Sequence, residues 1–543
     1  MKLIMGLAMI GVLGCSWQPP KDPYTLIDHM GGEPDVLNPI LGQDVYESRV
    51  DNFIFDYLIV RDNKTLEFVP KIAWRWEVSD DHLEYIFHLR KDVTWHDGSA
   101  LTADDVLFSY DRIRDPKVNA AHLRNYYQDI KALEKLDAHT VKFTYARPYF
   151  RALEFIGGMP ILPRHLYGSA DNQLKIFSEN SWVKQLVKDE AYDFNAAAIN
   201  RHPVGSGPYV FKKWASGAAI VLEANPNYWD QQHTPEIKRI YFKIVSNDTV
   251  ALQMLKKGDL DYAGLRPIQW VKQTQSEKFQ KKFYRFQYSS LGYRYIGWNA
   301  KRPWFKDASV RKALSHLINQ KEIVEKLEFN LGEAATGPFS PQVYGYDHSL
   351  PPIEFNPPKA KQLLKAAGWE DHDGDGVLDK NGKPFRFTFL FPAGARFYER
   401  LGSIMKNNMA RVGIDVTLSR IEWSVFLQKV NQRDFDAVSL GWSGSFAPDP
   451  YQIWHSSQIK EGHNFVSFQN AEADSLIEQV RVTFDQSERD LLLKRIHRII
   501  YDEQPYTFLY ATMSLVALDK RFSNVQLYRG GLDPLEWAIK AAP

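Results

Sequence analysis

The chain has 543 residues, and its 67 Lys and Arg residues nearly balance its 66 Asp and Glu residues, which leaves a net charge of +1. This balance argues against a nucleic-acid partner and against an electrostatic membrane-binding patch, since both need a basic excess. The hydrophobic fraction of 44% is typical of globular proteins, and the length predicts roughly two to four domains. The aromatic fraction of 14% suits stacking surfaces as well as cores.

The first residues predict export. A lysine precedes an apolar run over residues 3–13, which is too short to span a bilayer, so residues 1–14 are predicted to be a secretory signal peptide. A buried core segment is the alternative for the same run. The sequence VLGC ending at Cys15 resembles the bacterial lipobox, in which the cysteine is diacylated and becomes the new N-terminus. That resemblance implies a lipid attached at Cys15, with residues 15–23 as a tether.

The next elements can be predicted from periodicity and capping. A short strand begins at Tyr24, residues 51–60 are apolar and helix-like, and residues 83–89 alternate as a strand. A helix is predicted to begin after Thr102, because Asp105 stands three residues later and favours the positive end of the helix dipole.

A family resemblance starts in this region. The block WEVSDDHLEYIFHLRKDVTWHDGSALTADDVLFSYDRI at residues 76–113 resembles the N-terminal block of the bacterial extracellular solute-binding proteins of the peptide and nickel class. Three later blocks extend the resemblance over most of the chain, namely residues 203–230, 295–339 and 488–510.

Each of the later blocks also has a local pattern of its own. The first predicts two strands joined at residues 215–217, and the last predicts an amphipathic helix over 491–501 followed by a buried strand over 505–510. In the middle block, Asp307 is predicted to cap a helix whose apolar residues share one face: Val310, Leu314 and Leu317.

Strands that alternate with helices predict a mixed α/β protein. The resemblance implies more: a periplasmic binding protein-like fold of class II (cluster C), with three lobes and the ligand enclosed between them. The expected segments are 24–52, 200–290 and 508–543 for lobe I, 53–199 for lobe II and 291–507 for lobe III.

The best candidate for a binding site is the stretch LGWSGSFAPDPYQIWH at residues 440–455. It follows a short apolar strand pattern and supplies aromatic faces, small hydroxylic residues and a Pro-Asp-Pro turn, as a small-molecule pocket requires. An aromatic loop that merely covers a core is the alternative.

The resemblance also indicates departures from the peptide binders. Many of them place an aspartate just after the tryptophan of this loop, where it pairs with the ligand's amino group; here the position is Ser445, which carries no charge, and the nearest acid is Asp449. The arginine that binds the ligand carboxylate in dipeptide binders would fall near Pro392, and Arg396 is the closest substitute.

The remaining candidates are aromatic or polar. Trp442 and Trp298 are expected to enclose a ligand, Asn299 and Ser443 to hydrogen-bond it, and Tyr46 and Arg396 to form a rim. For each single residue, ordinary core packing or a solvated surface position is the alternative. The full set of expected ligand-binding residues is Tyr46, Trp298, Asn299, Arg396, Trp442, Ser443, Gly444, Ser445 and Asp449.

A second cluster consists of carboxylates at alternate positions, with Gly376 allowing a sharp turn, as in the first half of a calcium loop. The bidentate glutamate is missing, because Gly382 stands in its place. The possible ligands of a structural calcium ion are Asp371, Asp373, Asp375 and Asp379, and an acidic hairpin turn without metal is the alternative. No other cofactor is expected.

No nucleophile elbow, zinc motif or phosphate loop is present in the sequence, so no enzymatic activity is expected. The function that we expect is a monomeric, lipid-anchored receptor on the periplasmic face of a bacterial membrane, which delivers a peptide or peptide-like solute to an ABC permease. Open alternatives are a receptor for a modified peptide, oligosaccharide or metal chelate, a sensor or chaperone with the same fold, and a secreted glycan hydrolase.

Overall fold

The computed structural model describes residues 22–168, 192–394, 396–460 and 462–540, so the expected signal peptide and Cys15 lie outside the described residues. In chain order the strands are β1 (Thr25–Met30), β2 (Ile59–Arg61), β3 (Phe68–Pro70), β4 (Ala73–Val78), β5 (Glu84–Leu89), β6 (Ile130–Asp137), β7 (Thr140–Tyr145), β8 (Tyr209–Ala215), β9 (Ala219–Ala224), β10 (Arg239–Ile244), β11 (Tyr262–Gly264), β12 (Phe283–Trp298), β13 (Glu333–Ala334), β14 (Asp379–Lys380), β15 (Lys383–Pro384), β16 (Arg386–Pro392), β17 (Asp415–Ile421), β18 (Ala437–Trp442), β19 (Tyr506–Asp519), β20 (Phe522–Ser523), β21 (Leu527–Tyr528), β22 (Gly531–Leu532) and β23 (Ala538–Ile539).

Short and long α-helices connect these strands. They are α1 (Val45–Ile54), α2 (Ala103–Arg114), α3 (Ala121–Arg124), α4 (Ala152–Gly157), α5 (Arg164–Tyr167), α6 (Asp248–Lys257), α7 (Pro267–Lys272), α8 (Glu277–Lys282), α9 (Ala308–Ser315), α10 (Gln320–Lys326), α11 (Pro357–Ala366), α12 (Arg396–Ala410), α13 (Trp423–Asn431), α14 (Tyr451–Trp454), α15 (Ala471–Val482) and α16 (Gln486–Glu503).

Two sheets organise the molecule. The large one has 11 strands in the order β17-β16-β18-β12-β19-β11-β1-β10-β9-β8, with β13 paired to β19 beside this path. The small one is antiparallel, with four strands in the order β4-β5-β7-β6. We call β1 and β8–β11 with α1 and α6–α8 lobe I, the small sheet with α2–α5 lobe II, and β16–β18 with α9–α16 lobe III.

The long strands β12 and β19 cross from lobe I to lobe III. They pair antiparallel from Phe283 opposite Asp519 to Gly297 opposite Tyr506, and the register shifts between Ser289 and Tyr293. The expected boundary between residues 290 and 291 falls in this irregular stretch. The expected boundary between 507 and 508 falls inside β19, so one continuous strand crosses between the lobes there.

The hydrophobic cores divide differently from the sheets. One cluster of buried side chains runs through lobes I and II, and it includes Leu26 and Ile220 of lobe I together with Phe87 and Phe143 of lobe II. Lobe III has two clusters of its own, around Trp298 and around Phe508. Lobes I and II therefore share one core, whereas lobe III is joined to lobe I through β12 and β19 and to lobe II through contacts such as Phe150 on the cluster around Phe508.

Several local predictions are confirmed. Helix α2 begins after Thr102 with a complete capping box formed with Asp105. Asp307 caps α9 by accepting the Ser309 N–H, and the predicted apolar face is buried at Val310, Leu314 and Leu317. The hairpin of β8 and β9, helix α16 and strand β19 also lie where the sequence predicted them.

The helix predicted over residues 51–60 is wrong in its bounds. Asp44 accepts the backbone N–H groups of Tyr46 and Glu47, so α1 begins at Val45 and ends at Ile54. The apolar residues from Ile59 onward form β2 instead. The cap residue Asp44 lies before the apolar run, so the apolar pattern alone did not predict where α1 begins.

Two acidic side chains of α1 are buried. Glu47 is 3% exposed and Asp51 is 2% exposed, and neither oxygen of the Asp51 carboxyl has a hydrogen-bond partner in the part of the chain that the structure describes. Burial, with the nearby Asp44 charge, raises the pKa of Glu47 to about 8. Burial and the adjacent Glu47 raise the pKa of Asp51 well above its usual range. The Glu47 carboxyl therefore holds a proton in the folded protein at neutral pH.

We predict that stability falls as the pH rises because of Glu47. Its folded pKa of about 8 lies above the ordinary value of 4.5, so its contribution is complete below pH 4.5 and is lost as the pH rises towards 8. The loss is at most about 1.4 kcal/mol per pH unit for one such group. Thermal melting at a series of pH values should give a flatter profile for Glu47→Gln than for the natural chain.

Glu277→Gln is the matched control, because the Glu277 side chain is 80% exposed. Its profile should follow that of the natural protein. Identical pH profiles for Glu47→Gln and the natural protein would contradict the prediction.

Candidate functional site

A cleft of about 670 Å³ lies where lobe I, lobe III and the two crossing strands meet. Lobe I lines it with residues 246–249 and 265–269, and lobe III lines it with residues 327–329 and 396–398. Arg294 of β12 and Thr512 of β19 line it from the crossing strands. A solute in this cleft would therefore touch both lobes and the strands that join them.

The loop after β18 borders this junction. A Cβ atom added at Gly444 would lie 1.9 Å from the Leu291 carbonyl oxygen, and one added at Gly292 would lie 2.5 Å from the Trp442 carbonyl oxygen. The loop therefore packs directly on the irregular stretch of β12, beside the cleft, and only glycine permits this approach.

The aromatic and polar groups of this loop are partly accessible. Trp442 is half-buried, its indole N–H donates to the Tyr506 hydroxyl at 3.3 Å, and its ring stacks on Phe465 with 5.7 Å between centroids. Ser443 and Gly444 are exposed. This part of the loop presents a half-buried aromatic ring and two exposed residues at the junction of the lobes.

The two candidates for the ligand's amino group are both engaged within the protein. The Ser445 hydroxyl accepts the Ala447 N–H at 3.3 Å. The Asp449 side chain is 1% exposed, accepts hydrogen bonds from the Tyr149 hydroxyl at 2.8 Å and the Tyr451 N–H at 3.0 Å, and lies 3.4 Å from Arg481. The structure corrects the expectation for Asp449, because this carboxylate has no surface left for a ligand.

Asp449 belongs instead to a contact between lobes II and III that the sequence did not reveal. Arg481 is 2% exposed and lies between the rings of Tyr149 and Tyr451, 4.5 Å from each centroid. Its guanidinium is 3.8 Å from Asp129 of lobe II, and its carbonyl oxygen accepts the Phe150 N–H at 2.9 Å. We call Asp129, Tyr149, Asp449 and Arg481 the II–III latch.

The charge of Arg481 is compensated inside the latch. Burial lowers its pKa, but Asp449 and Tyr149 oppose this effect and the net result is a raised pKa. The guanidinium thus stays positive although it is almost fully buried. Separating lobe II from lobe III would take Tyr149 and Asp129 away from it.

Trp298 and Asn299 require correction too. Trp298 is fully buried, its indole N–H donates to the Thr507 hydroxyl at 3.0 Å, and its ring packs on Phe305. The Asn299 amide is 1% exposed and donates to the carbonyl oxygens of Arg433 and Phe435. Both are core residues of lobe III, and neither is accessible to a ligand.

Of the two expected rim residues, Arg396 lines the cleft and Tyr46 does not. Arg396 is exposed and lines the cleft from the first position of α12. Tyr46 is half-buried, and its ring covers Gly32, where an added Cβ would lie 2.5 Å away. Burial raises the pKa of Tyr46, and its hydroxyl also senses the charge of Arg266, which lines the cleft.

Two histidines that sequence analysis missed lie near Trp442. The His463 ring is 5.4 Å from the Trp442 ring, and His122 of lobe II interacts electrostatically with His463. Burial lowers the pKa of each to about 4, so both imidazoles are neutral at neutral pH. They add polar groups without charge beside the loop.

The acidic loop is far more exposed than these residues. Carboxylate oxygens of Asp371, Asp373 and Asp375 lie within 4.8 Å of one another, and all three residues are exposed. Asp379 is not in this group; it accepts the His372 N–H at 2.9 Å. Calcium binding stays a prediction.

The family model for bacterial extracellular solute-binding proteins, family 5 Middle, matches residues 67–463, which is most of the chain. The chain belongs to this family. The mixed α/β fold expected from the resemblance is confirmed by solved structures of binding proteins that match this chain.

Individual family members can be compared over nearly the whole chain. The oligopeptide-binding protein AppA of Bacillus subtilis is 32% identical over 520 residues, which cover 94% of this chain and 90% of AppA. The structure of AppA in complex with a nonapeptide has a TM-score of 0.83 and covers 95% of this chain and 99% of AppA. The structure of NikZ of Campylobacter jejuni in complex with Ni(L-His) has a TM-score of 0.80 at 25% identity. The match covers 95% of this chain and 100% of NikZ.

Within residues 22–168, 192–394, 396–460 and 462–540, no helix has both the length and the apolar character that crossing a membrane would need.

We predict that Asp449→Asn opens the contact between lobes II and III. The substitution leaves Arg481 buried beside a neutral group, and loss of one member of a buried ion pair costs about 3–5 kcal/mol. Small-angle scattering should therefore give a larger radius of gyration for the variant, and its melting temperature should fall.

Glu478→Gln is the control. It removes an ion pair with Arg147 across the same interface, but the two side chains are 34% and 40% exposed. Such a pair contributes less than about 1 kcal/mol, so this variant should behave as the natural protein does. Equal effects of the two substitutions would argue against the latch.

Proposed function

We propose that this protein is the solute receptor of an ABC importer, and that it binds a peptide or peptide-like solute in the cleft between lobes I and III. The observation that carries this proposal is the combination of the 670 Å³ cleft with the match to AppA, whose structure was solved with a nonapeptide. The receptor would then deliver its solute to a membrane permease. It would make and break no bond in the solute.

The mechanism that we propose is closure of lobe III on the unit formed by lobes I and II. A solute that touches both sides of the cleft favours the closed arrangement, because it binds that arrangement more tightly than an open one. The II–III latch would form in the same movement and would add its own stabilisation. Closure would also enclose Trp442 and the adjacent backbone.

Ser445 stands where many peptide binders have an aspartate, so this loop would bind a peptide without a charged contact to its amino terminus. Since Asp449 is engaged by Tyr149 and Arg481, no carboxylate of this loop is left for a free amino terminus. Backbone groups of Ser443 and Gly444 would instead pair with the peptide backbone, as an extended peptide does when it adds to a strand. Such contacts depend little on the peptide sequence.

A metal chelate is the second candidate. NikZ, which was solved with Ni(L-His), resembles this chain at 25% identity. The neutral imidazoles of His122 and His463 beside Trp442 have the chemistry of nitrogen ligands. The experiment that follows distinguishes a chelate from a peptide.

We expect the protein to carry short peptides when it is purified without denaturation from residue 17 onward. Native mass spectrometry should then give a series of ligand masses that fragment as peptides. Trp442→Ala should lose most of this ligand, whereas Trp74→Ala, at a tryptophan that is 52% exposed on lobe II, should retain it.

A single ligand mass with a nickel isotope pattern would replace the peptide by a chelate. Degradation of added glycans by the purified protein would contradict the receptor function. Equal loss of ligand from the Trp442 and Trp74 variants would contradict the assignment of the loop.

We also propose that a lipid on Cys15 holds a monomeric receptor at the periplasmic face of the membrane. The lipobox-like sequence VLGC supports this proposal. Cys15→Ser should move the protein from the membrane fraction and the detergent phase into the aqueous phase, and the N-terminal peptide should lose the mass of its acyl chains. A Ser16→Ala control should remain with the membrane. A natural protein that partitions into the aqueous phase would contradict the anchor.

A further inference from the structure

The cleft carries an excess of positive charge. Its ionisable lining consists of Arg266, Arg294, Arg396, Arg400, Asp248 and Glu328. The charge of Arg266 is neutralised, because Arg266 forms an ion pair with Asp248 at 2.7 Å. The net charge of the cleft therefore depends on which negative groups lie near Arg294, Arg396 and Arg400.

Arg294 has one acidic neighbour in the cleft, Glu328. Burial lowers the pKa of Arg294, but Tyr398, Tyr510 and Glu328 oppose this effect, and the net pKa is raised. Arg294 lies on β12 opposite Gly441 of β18, directly beside the loop that begins at Trp442, and it donates to the neutral Tyr398 hydroxyl at 2.6 Å. Glu328 accepts the Tyr510 hydroxyl at 2.7 Å, and burial raises the pKa of Glu328 although Tyr510, Arg294 and Arg266 oppose this effect. The cationic excess of the cleft therefore comes from Arg396 and Arg400.

Arg396 and Arg400 stand one turn apart on α12 and both line the cleft. Neither makes an ion pair or a hydrogen bond with any of the residues that the structure describes, and both are exposed. Together with Arg294 they form one cationic wall. A guanidinium group of this kind recognises a carboxylate through paired N–H donors.

We propose that this wall selects acidic peptides, so that a Glu or Asp side chain of the bound peptide lies against Arg294, Arg396 and Arg400. This inference rests on the proposed function and makes it more specific. Opposite charge would also speed the approach of such peptides to the cleft, and added salt would weaken their preference. Backbone pairing at Ser443 and Gly444 would hold the rest of the peptide.

The test uses alanine-based nonapeptides that carry one glutamate at successive positions, each compared with its glutamine counterpart by titration calorimetry. At one or more positions the glutamate peptide should bind about tenfold more tightly than its counterpart at low salt, as expected for a charge-assisted hydrogen bond. Arg400→Gln should bring this ratio close to one. A folded Arg294→Gln variant should also bring this ratio close to one. Arg400 is exposed, so the Arg400→Gln substitution does not disturb the core.

Arg411→Gln is the matched control, because this exposed residue follows α12 and does not line the cleft. It should leave the ratio unchanged. Equal affinity of glutamate and glutamine peptides at every position would overturn the inference while the peptide receptor stands, as would an equal fall in the ratio for Arg411→Gln. Failure of every peptide to bind would overturn both proposals.

Discussion

The antiparallel pairing of β12 with β19 is the constraint on which the rest of the structure depends. These two strands of 16 and 14 residues belong to lobe I at one end and to lobe III at the other. Their register shifts near residues 289–293, where the lobes meet, and the candidate site is built around that irregularity. Arg294, Thr512 and the Trp442 loop all take their positions from it.

The contacts that hold the lobes together differ in kind. Lobes I and II share a core of apolar side chains, so separating these lobes would expose apolar surface to water and would cost free energy. Lobes II and III meet through charged and aromatic groups around Arg481, which can be hydrated when they part. The fold thus combines an apolar interface with a polar one, as the proposed closure of lobe III would need.

The sequence predicted local features well and distant contacts poorly. Caps such as Asp307 and the strand-loop pattern before Trp442 depend on neighbours within a few residues, so they are readable in one dimension. Trp298 and Trp442 both end strands and have the same local signature. Only the packing of Phe305 and Thr507 around Trp298 makes it a core residue, and those partners cannot be inferred from periodicity.

Asp449 illustrates the same limit at longer range. Its hydrogen-bond partner Tyr149 lies 300 residues away in the chain, and nothing in either segment indicates the other. The family resemblance gave the position of the loop, and Asp449 was expected to bind a ligand only because it is the acid nearest to Ser445. The fold could be predicted, and so could one residue of the cleft, Arg396, whereas the division between residues that line the cleft and residues that join the lobes could not.

The position of β19 also governs the order in which the chain can fold. This strand lies between β11 and β12 in the middle of the large sheet, yet it follows all other strands of that sheet in the chain. Until residues 506–519 are available, β11 and β12 each present an unpaired edge, and unpaired edges promote aggregation. The four-stranded sheet of lobe II has no such dependence and can form first. Before β19 is made, the unpaired edges of β11 and β12 therefore have to be protected from pairing with other polypeptide chains.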